Sequence, residues 1–247
     1  MIRSNEHSGA VVAIHQPNFF PWLGYFGKIA AADVFVFLDQ VDYPKSGKSM
    51  GSYVNRVKLA IQGKAQWWGC PVQREPGVQP IDAVQIKTEP WVEKRLRTLQ
   101  QHYARAPYFA EYWDVVRELV QRPEQSLARY NRANIEAVAG LLGLKTKFVA
   151  QSELNASGTS TERLVNIVRA VGGGVYLSGA GGSNYQEQSM FEAAGIELRY
   201  LKFCPQPYEQ LHCTEFLPGL SVLDSLFHCG AEGAVALCKE GCQGTCP

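Results

Sequence analysis

The sequence lacks several features that would fix a class at once. No apolar run in its 247 residues approaches the roughly 20 needed to cross a bilayer, so no transmembrane helix is expected. The first ten residues, M-I-R-S-N-E-H-S-G-A, have no apolar core of a signal peptide, and a cytoplasmic location is expected. Charge of one sign is also missing. A net charge of +1 gives no general pull toward nucleic acid or anionic lipid, so substrate phosphates would have to be met by local Arg and Lys. There is no G-x-x-x-x-G-K-[ST], which excludes a P-loop, and no G-x-S-x-G nucleophile elbow. The seven cysteines are odd in number and irregularly spaced, unlike a secreted disulfide framework. No internal repeat or low-complexity segment is present.

What is there suits a packed α/β protein. Hydrophobic residues make up 46% of the chain, enough for a proper core, and the length fits one large domain or a domain with a helical insertion. The organising stretch is residues 11–39. Val11 to Ile14 reads as a buried strand, Pro17 and Pro21 force a turn, a helical pattern begins at Gly24, and Val34 to Leu38 reads as a second buried strand. Strand, turn, helix, strand is a right-handed βαβ unit, whose first loop lies at the carboxyl edge of a parallel sheet, where ligands bind. That loop carries His15, Gln16, Asn18 and Trp22, followed by Tyr25 and Lys28. A lone His after a strand is as often structural as catalytic, and the aromatics suit core or pocket wall.

Beyond Asp39 and Tyr43, the polar segment to Lys58 carries Lys45, Lys48, Arg56 and Lys58 close together. It reads as a solvated loop or a phosphate-binding one, and the Arg56 guanidinium suits bidentate contact with phosphate or carboxylate. Strands are expected over Tyr53 to Ile61 and Trp67 to Val72. Cys70 reads as a buried structural thiol. Three helices are expected in residues 90–142, the last closing at Gly143. His102 falls at the end of the first, where a His complements the helix's negative end.

A strand at Lys147 to Ala150 and a Ser/Thr-capped helix from Glu162 follow. Val175 to Leu177 then runs into S-G-A-G-G-S-N-Y. Gly179, Gly181 and Gly182 lack the dinucleotide spacing, but small residues let backbone N–H groups approach an anion or a developing oxyanion. Ser178 is taken as a hydrogen-bonding residue and Tyr185 as part of the same turn; a tight turn with no ligand is the plainer reading. Another strand is expected at Leu198 to Phe203 and a helix at Leu220 to Phe227, with Asp224 either orienting a catalytic His, binding an ammonium group or capping. Cys238, Cys242 and Cys246 stand four apart, without the spacing of a strong metal motif, and the tail from 236 is expected to be disordered.

Several blocks are more specific. H-Q-P-N-F-F-P-W-L-G-Y-F-G-K-I closely resembles the N-terminal signature of the WbqC-like family. Further matches follow in order: Asp39 with Tyr43, N-R-V-K at Asn55 to Lys58, W-x-x-C-P-V at Trp67 to Val72, H-Y-A-R-A-P-Y-F at His102 to Phe109, Y-L-S-G-A-G-G-S-N-Y at Tyr176 to Tyr185, and L-S-V-L-D-S-L-F-H-C-G at Leu220 to Gly230. The resemblance covers about residues 11 to 235. Family members are associated with bacterial O-antigen, other surface-polysaccharide and secondary-metabolite gene clusters. The resemblance implies transfer of an aminoacyl group such as glycine to an amino sugar.

The expectation is therefore an α/β fold with a mainly parallel sheet. It would be one domain over 10–235, with a helical subdomain at 90–142 and a Cys-rich tail at 236–247. Its opening also resembles the HUP class of nucleotide-binding folds. The first functional expectation is an acyl or aminoacyl transferase that forms an amide. His15 would be the base, with His102 and Asp224 as further catalytic candidates. Backbone amides of Gly179 to Gly182 would receive the oxyanion, with Asn55 or Arg56 as additional donors. The donor would be a thioester or aminoacyl compound, on a carrier protein or an aminoacyl-tRNA. The alternatives are a ligase or nucleotidyltransferase that uses ATP, and a non-catalytic pathway binding protein.

Overall fold

A computed structural model of the chain describes residues 9–44, 52–73, 75, 77–184 and 186–243. In chain order the elements are β1 (Ala10–His15), α1 (Leu23–Ala30), β2 (Val34–Phe37), β3 (Arg56–Ile61), β4 (Lys64–Gly69), β5 (Val72–Gln73), β6 (Gln85–Ile86), α2 (Val92–Tyr103), α3 (Phe109–Gln121), α4 (Leu127–Leu141), β7 (Lys147–Ala150), α5 (Ser160–Ala170), β8 (Gly173–Gly179), α6 (Gln188–Ala193), β9 (Glu197–Leu201) and α7 (Val222–Gln243). They group into two compact units. Of the described residues, those within 1–15, 28–38 and 145–202 form one, and those within 16–27, 39–144 and 203–247 the other. The helices at 90–142 thus belong to a larger unit that also takes in the small strands before them and the chain after residue 202.

The first unit is built on a five-stranded sheet in the order β7-β2-β1-β8-β9, with every pairing parallel. This is the mainly parallel sheet expected from the sequence, and β1 and β2 are the neighbours that the βαβ reading requires. β1 and β2 are near-continuous apolar runs, as strands buried on both faces are. On one face Val12, Ile14, Val34 and Val36 pack with Leu164, Val165, Ile167, Val168 and Phe191 from α5 and α6. The glycine run after α5 has separate causes at each position. Gly172 ends the helix in the left-handed region, at φ 73°. Gly173 and Gly174 leave no room for a side chain against Val12, Val168 and the Gly9 backbone.

In the second unit β3 and β4 form an antiparallel hairpin, separate from the main sheet. Its two-residue turn, Gln62–Gly63, has φ of 52° and 68°, the positive pair a type I′ turn requires. Trp68 and Val57 face each other on its buried side, and Trp68 packs at 5.2 Å and 5.5 Å from the rings of Phe19 and Phe20. Asn131 of α4 holds this region together. Its Nδ2 donates to the carbonyl oxygens of Pro17 at 2.9 Å and Val54 at 2.6 Å, joining segments far apart in the chain.

Two expectations are corrected. Thr159 stands at the N-cap of α5, but its side chain makes no cap hydrogen bond. The tail is not disordered where it is described: α7 continues to Gln243, interrupted at Gly230, where φ is 68° and ψ is −179°. The reason is burial. Cys238 is buried and its thiol donates to the Leu23 carbonyl, while Gly27 and Gly241 leave only close-contact space beside Cys242 and Phe203. An apolar helical face with partners does not fray.

Candidate functional site

Numbered by occurrence along the chain, the strands of the main sheet run 3-2-1-4-5. The order reverses between β1 and β8, and in open parallel sheets the crevice outside the carboxyl ends at that reversal is where ligands bind. The last paired residues of the two strands are Ala13 and Leu177. His15 and Gly179 each lie two residues further on. β1 and β8 therefore end at the same edge, one running out after His15 and the other into the turn after Ser178.

The side chains at this edge are held in specific ways. Lys28 is buried, and its Nζ donates to the Ile14 carbonyl oxygen at 2.8 Å. Burial pulls the pKa of this amine down from 10.5 to about 7. Ser178 is also buried; its hydroxyl accepts from Gln186 Nε2 at 2.9 Å and donates to the Gly179 carbonyl at 3.2 Å. It is a fixed hydrogen-bonding residue. The three glycines of the turn divide. A side chain at Gly182 would collide with Ser178 Oγ and the Gln186 amide. Gly179 and Gly181 have open space where a Cβ would be, and neither has a positive φ. Gly182 is thus demanded by internal packing, and the other two are not. Tyr185 lies outside the described residues, as do Lys45, Lys48 and Cys246.

The remaining predicted residues belong to the second unit. The Tyr25 hydroxyl donates to the Gln16 carbonyl at 2.9 Å, and burial raises its pKa well above 10.0. Asn18 is buried beside the Pro17 carbonyl that Asn131 holds. Trp22 is half-buried, its ring edge-to-face with Phe203 at 5.3 Å. Tyr43 donates to Asn55 Oδ1 at 2.6 Å, and Asn55 Nδ2 donates to the Cys70 carbonyl at 3.0 Å, so these two predicted binding residues bind each other. Asp39 is buried, and its backbone carbonyl accepts from Asp82 N at 3.0 Å. Arg56 and Lys58 lie over the Trp67 ring, at 4.4 Å and 5.4 Å from its centroid. Cys70 is buried, its thiol pushed up to about 12, which fits the structural reading.

Asp224 has an occupation the sequence did not reveal. It is completely buried, and its carboxyl oxygens accept from Tyr103 at 2.7 Å, Tyr208 at 2.7 Å and Gln210 Nε2 at 3.1 Å. Its backbone carbonyl meets His228 Nδ1 at 2.8 Å, while His228 Nε2 meets the Leu211 amide N–H at 3.0 Å. Burial disfavours charge on His228 and the Asp224 carboxyl favours it, with a net upward pull on its pKa. The Leu211 amide points the other way, because an N–H can only donate. That contact decides for a neutral ring with its proton on Nδ1. His102 sits one residue before Tyr103 in the last turn of α2, half-buried; Tyr103, not His102, reaches Asp224. The signal for His228 was present as Asp224-x-x-x-His228, one helical turn on the same face. Beside this network Tyr208, Gln210, Cys213 and Phe216 line a cavity of about 360 Å³.

Cys238 is pushed up to about 12 and Cys242 is also raised, chiefly by burial. Among the described residues no group of three or more His, Cys, Asp or Glu stands ready to hold a metal, and no helix is long and apolar enough to cross a membrane.

A family model described as the WbqC-like protein family matches residues 16–235. The chain is 30% identical over 224 residues to "Uncharacterized protein Rv1507c" of Mycobacterium tuberculosis, covering 90% of this chain and 94% of that one. A chain of the Zn(II)-bound AdcAII of Streptococcus pneumoniae, in a mutant variant, is 12% identical with a TM-score of 0.21, covering 94% of this chain and 98% of that one. A likeness that weak carries no argument. The ordered blocks and the family match lead to one assignment: this chain belongs to the WbqC-like protein family.

Proposed function

We propose that the protein is an acyl or aminoacyl transferase that forms an amide on an amino-bearing acceptor such as an amino sugar. One observation carries the reading. His15 and the Ser178–Gly182 turn leave neighbouring parallel strands at the point where the strand order reverses. In the reaction the acceptor amine attacks the donor's acyl carbon. His15 takes the amine proton, the new C–N bond forms, and the bond to the departing thiol or hydroxyl breaks as that group receives the proton. The tetrahedral oxyanion accepts hydrogen bonds from backbone amides around Gly179 and Gly181, where nothing in the unit's own packing fills the space a side chain would occupy.

The test is incubation of the purified chain with a glycyl thioester of N-acetylcysteamine and a panel of amino sugars, with the amide product weighed by mass spectrometry. Amide formation that falls at least a hundredfold in His15→Gln supports the assignment. Wild-type turnover by that variant removes His15 from the role.

A second reading is favoured by the strand order itself. The 3-2-1-4-5 sheet is compatible with the nucleotide-binding HUP class, so the same crevice suits a ligase or nucleotidyltransferase that uses ATP. Calorimetric binding of ATP with a magnesium requirement, and release of AMP or ADP with the amide, favours it over the first.

A further inference from the structure

The β3–β4 hairpin has two unlike faces. Its inner face is anchored by Val57 and Trp68, and Trp68 Nε1 donates to the Arg95 carbonyl of α2 at 3.3 Å. Its outer face carries Arg56 and Lys58 on β3, with Trp67 directly opposite Lys58 on β4. The two cationic heads lie over the Trp67 ring at 4.4 Å and 5.4 Å. Tyr53, just before the hairpin, meets Trp67 edge-to-face at 5.4 Å. Both rings stay open to solvent, 45% for Tyr53 and 38% for Trp67, among the most exposed large apolar side chains of the described residues. Lys64 adds an exposed cation at the hairpin tip. Residues 52–73 contain no Asp or Glu to neutralise these three charges.

We propose that this outer face docks single-stranded nucleic acid, with backbone phosphates on Arg56, Lys58 and Lys64 and a base laid on the Tyr53–Trp67 ring pair. The physical reason is the combination. Cations held over an aromatic ring are set in place before a phosphate arrives, so little side-chain freedom is lost on binding. Exposed rings among cations are what sequence-tolerant single-strand binding uses, because every base has a face to stack. An acidic protein surface would satisfy the cations and leave both rings without a partner. The near-zero net charge of the chain makes this a local footprint. Resting on the transferase reading, the inference adds that the acyl donor is carried on a nucleic acid.

The test is fluorescence anisotropy of a fluorescein-labelled single-stranded RNA of about 12 nucleotides, titrated with the full chain across a salt series. The wild type is expected to bind with affinity falling linearly in log salt. Arg56→Gln and Lys58→Gln should each reduce that slope by about 0.7. Tyr53→Ala and Trp67→Ala should weaken binding by about tenfold at every salt concentration with the slope unchanged. If Trp67→Ala loses its circular dichroism spectrum, Tyr53→Ala, at an exposed position, carries the ring test alone. The proposal is overturned if the wild type does not bind the RNA at low salt. It is also overturned if dextran sulfate binds as tightly while Tyr53→Ala loses nothing, or if an acidic carrier protein binds through these residues and RNA does not. No acyl donor enters this assay, so the two readings fail separately. RNA binding with no amide formed from either the glycyl thioester or a glycyl ester of RNA removes the transferase, and amide formation from a free thioester without RNA binding removes the docking surface.

Discussion

Lys28 Nζ donates a hydrogen bond of 2.8 Å to the carbonyl oxygen of Ile14, one residue before His15 at the edge where β1 and β8 part. A buried amine there ties helix α1 to the end of the strand that closes with His15. Its pKa of about 7 in the folded state, against 10.5 for the free group, gives the contact a pH signature. Between these values the unfolded chain binds the proton and the folded chain does not. The group's burial cost is therefore largest below pH 7 and is relieved as pH rises, by about 1.4 kcal/mol per pH unit. In urea denaturation between about pH 7 and 9, Lys28→Met should lose that rise relative to wild type. Identical pH dependence in the two proteins would show that the amine is not held as described.

The glycines of the Ser178 turn should separate in the same kind of experiment. Gly182→Ala forces a methyl into Ser178 Oγ and the Gln186 amide and should destabilise by about 1–3 kcal/mol. Gly179→Ala and Gly181→Ala meet nothing and should leave the urea midpoint within about 0.5 kcal/mol of wild type. Under the proposed function these two stable variants still lose turnover, since the added methyl stands where the ligand approaches.

Tyr103 has a double role, donating to Asp224 at 2.7 Å and accepting the Ala60 amide N–H at 3.0 Å. Tyr103→Phe strands a fully buried carboxyl oxygen and a backbone donor together. The expected loss is about 3 kcal/mol by chemical denaturation. Tyr208→Phe removes one donor from an oxygen that Gln210 also serves, so its loss should be smaller. Equal losses would contradict the division of donors between the two carboxyl oxygens.

His228 should be neutral at pH 7 with its proton on Nδ1, because Nε2 is occupied by the Leu211 amide. Two-dimensional 15N–1H spectra of the imidazole ring report the tautomer directly. A doubly protonated ring at pH 7 would mean that the Leu211 contact is broken in solution and that the pull of Asp224 prevails.

Much of this architecture was written locally. Residues 11–39 alternate between a buried apolar run, two prolines, a helical spacing and a second apolar run, and each dictates its own backbone conformation. The βαβ unit follows from that and, with it, the placing of His15 at the carboxyl edge. The ordered blocks from His15 to Gly230 were enough to indicate the family. Partners remote in sequence were not legible. Nothing near Asp224 announces that Tyr103, 121 residues earlier, will fill one of its oxygens, or that Asn131 will reach back 114 residues to the Pro17 carbonyl. Such pairings cost chain entropy that only the assembled core offsets, so they exist as properties of the packing and leave no local pattern. The tail shows the same limit, because its sequence looks suited to solvent and becomes helix only through burial of Cys238. The sequence alone determined the kind of elements and the chemistry available to them. The tertiary structure decided which strand lies beside β1, and thereby which turn leaves the sheet next to His15, because strand order depends on how all the apolar faces are buried at once.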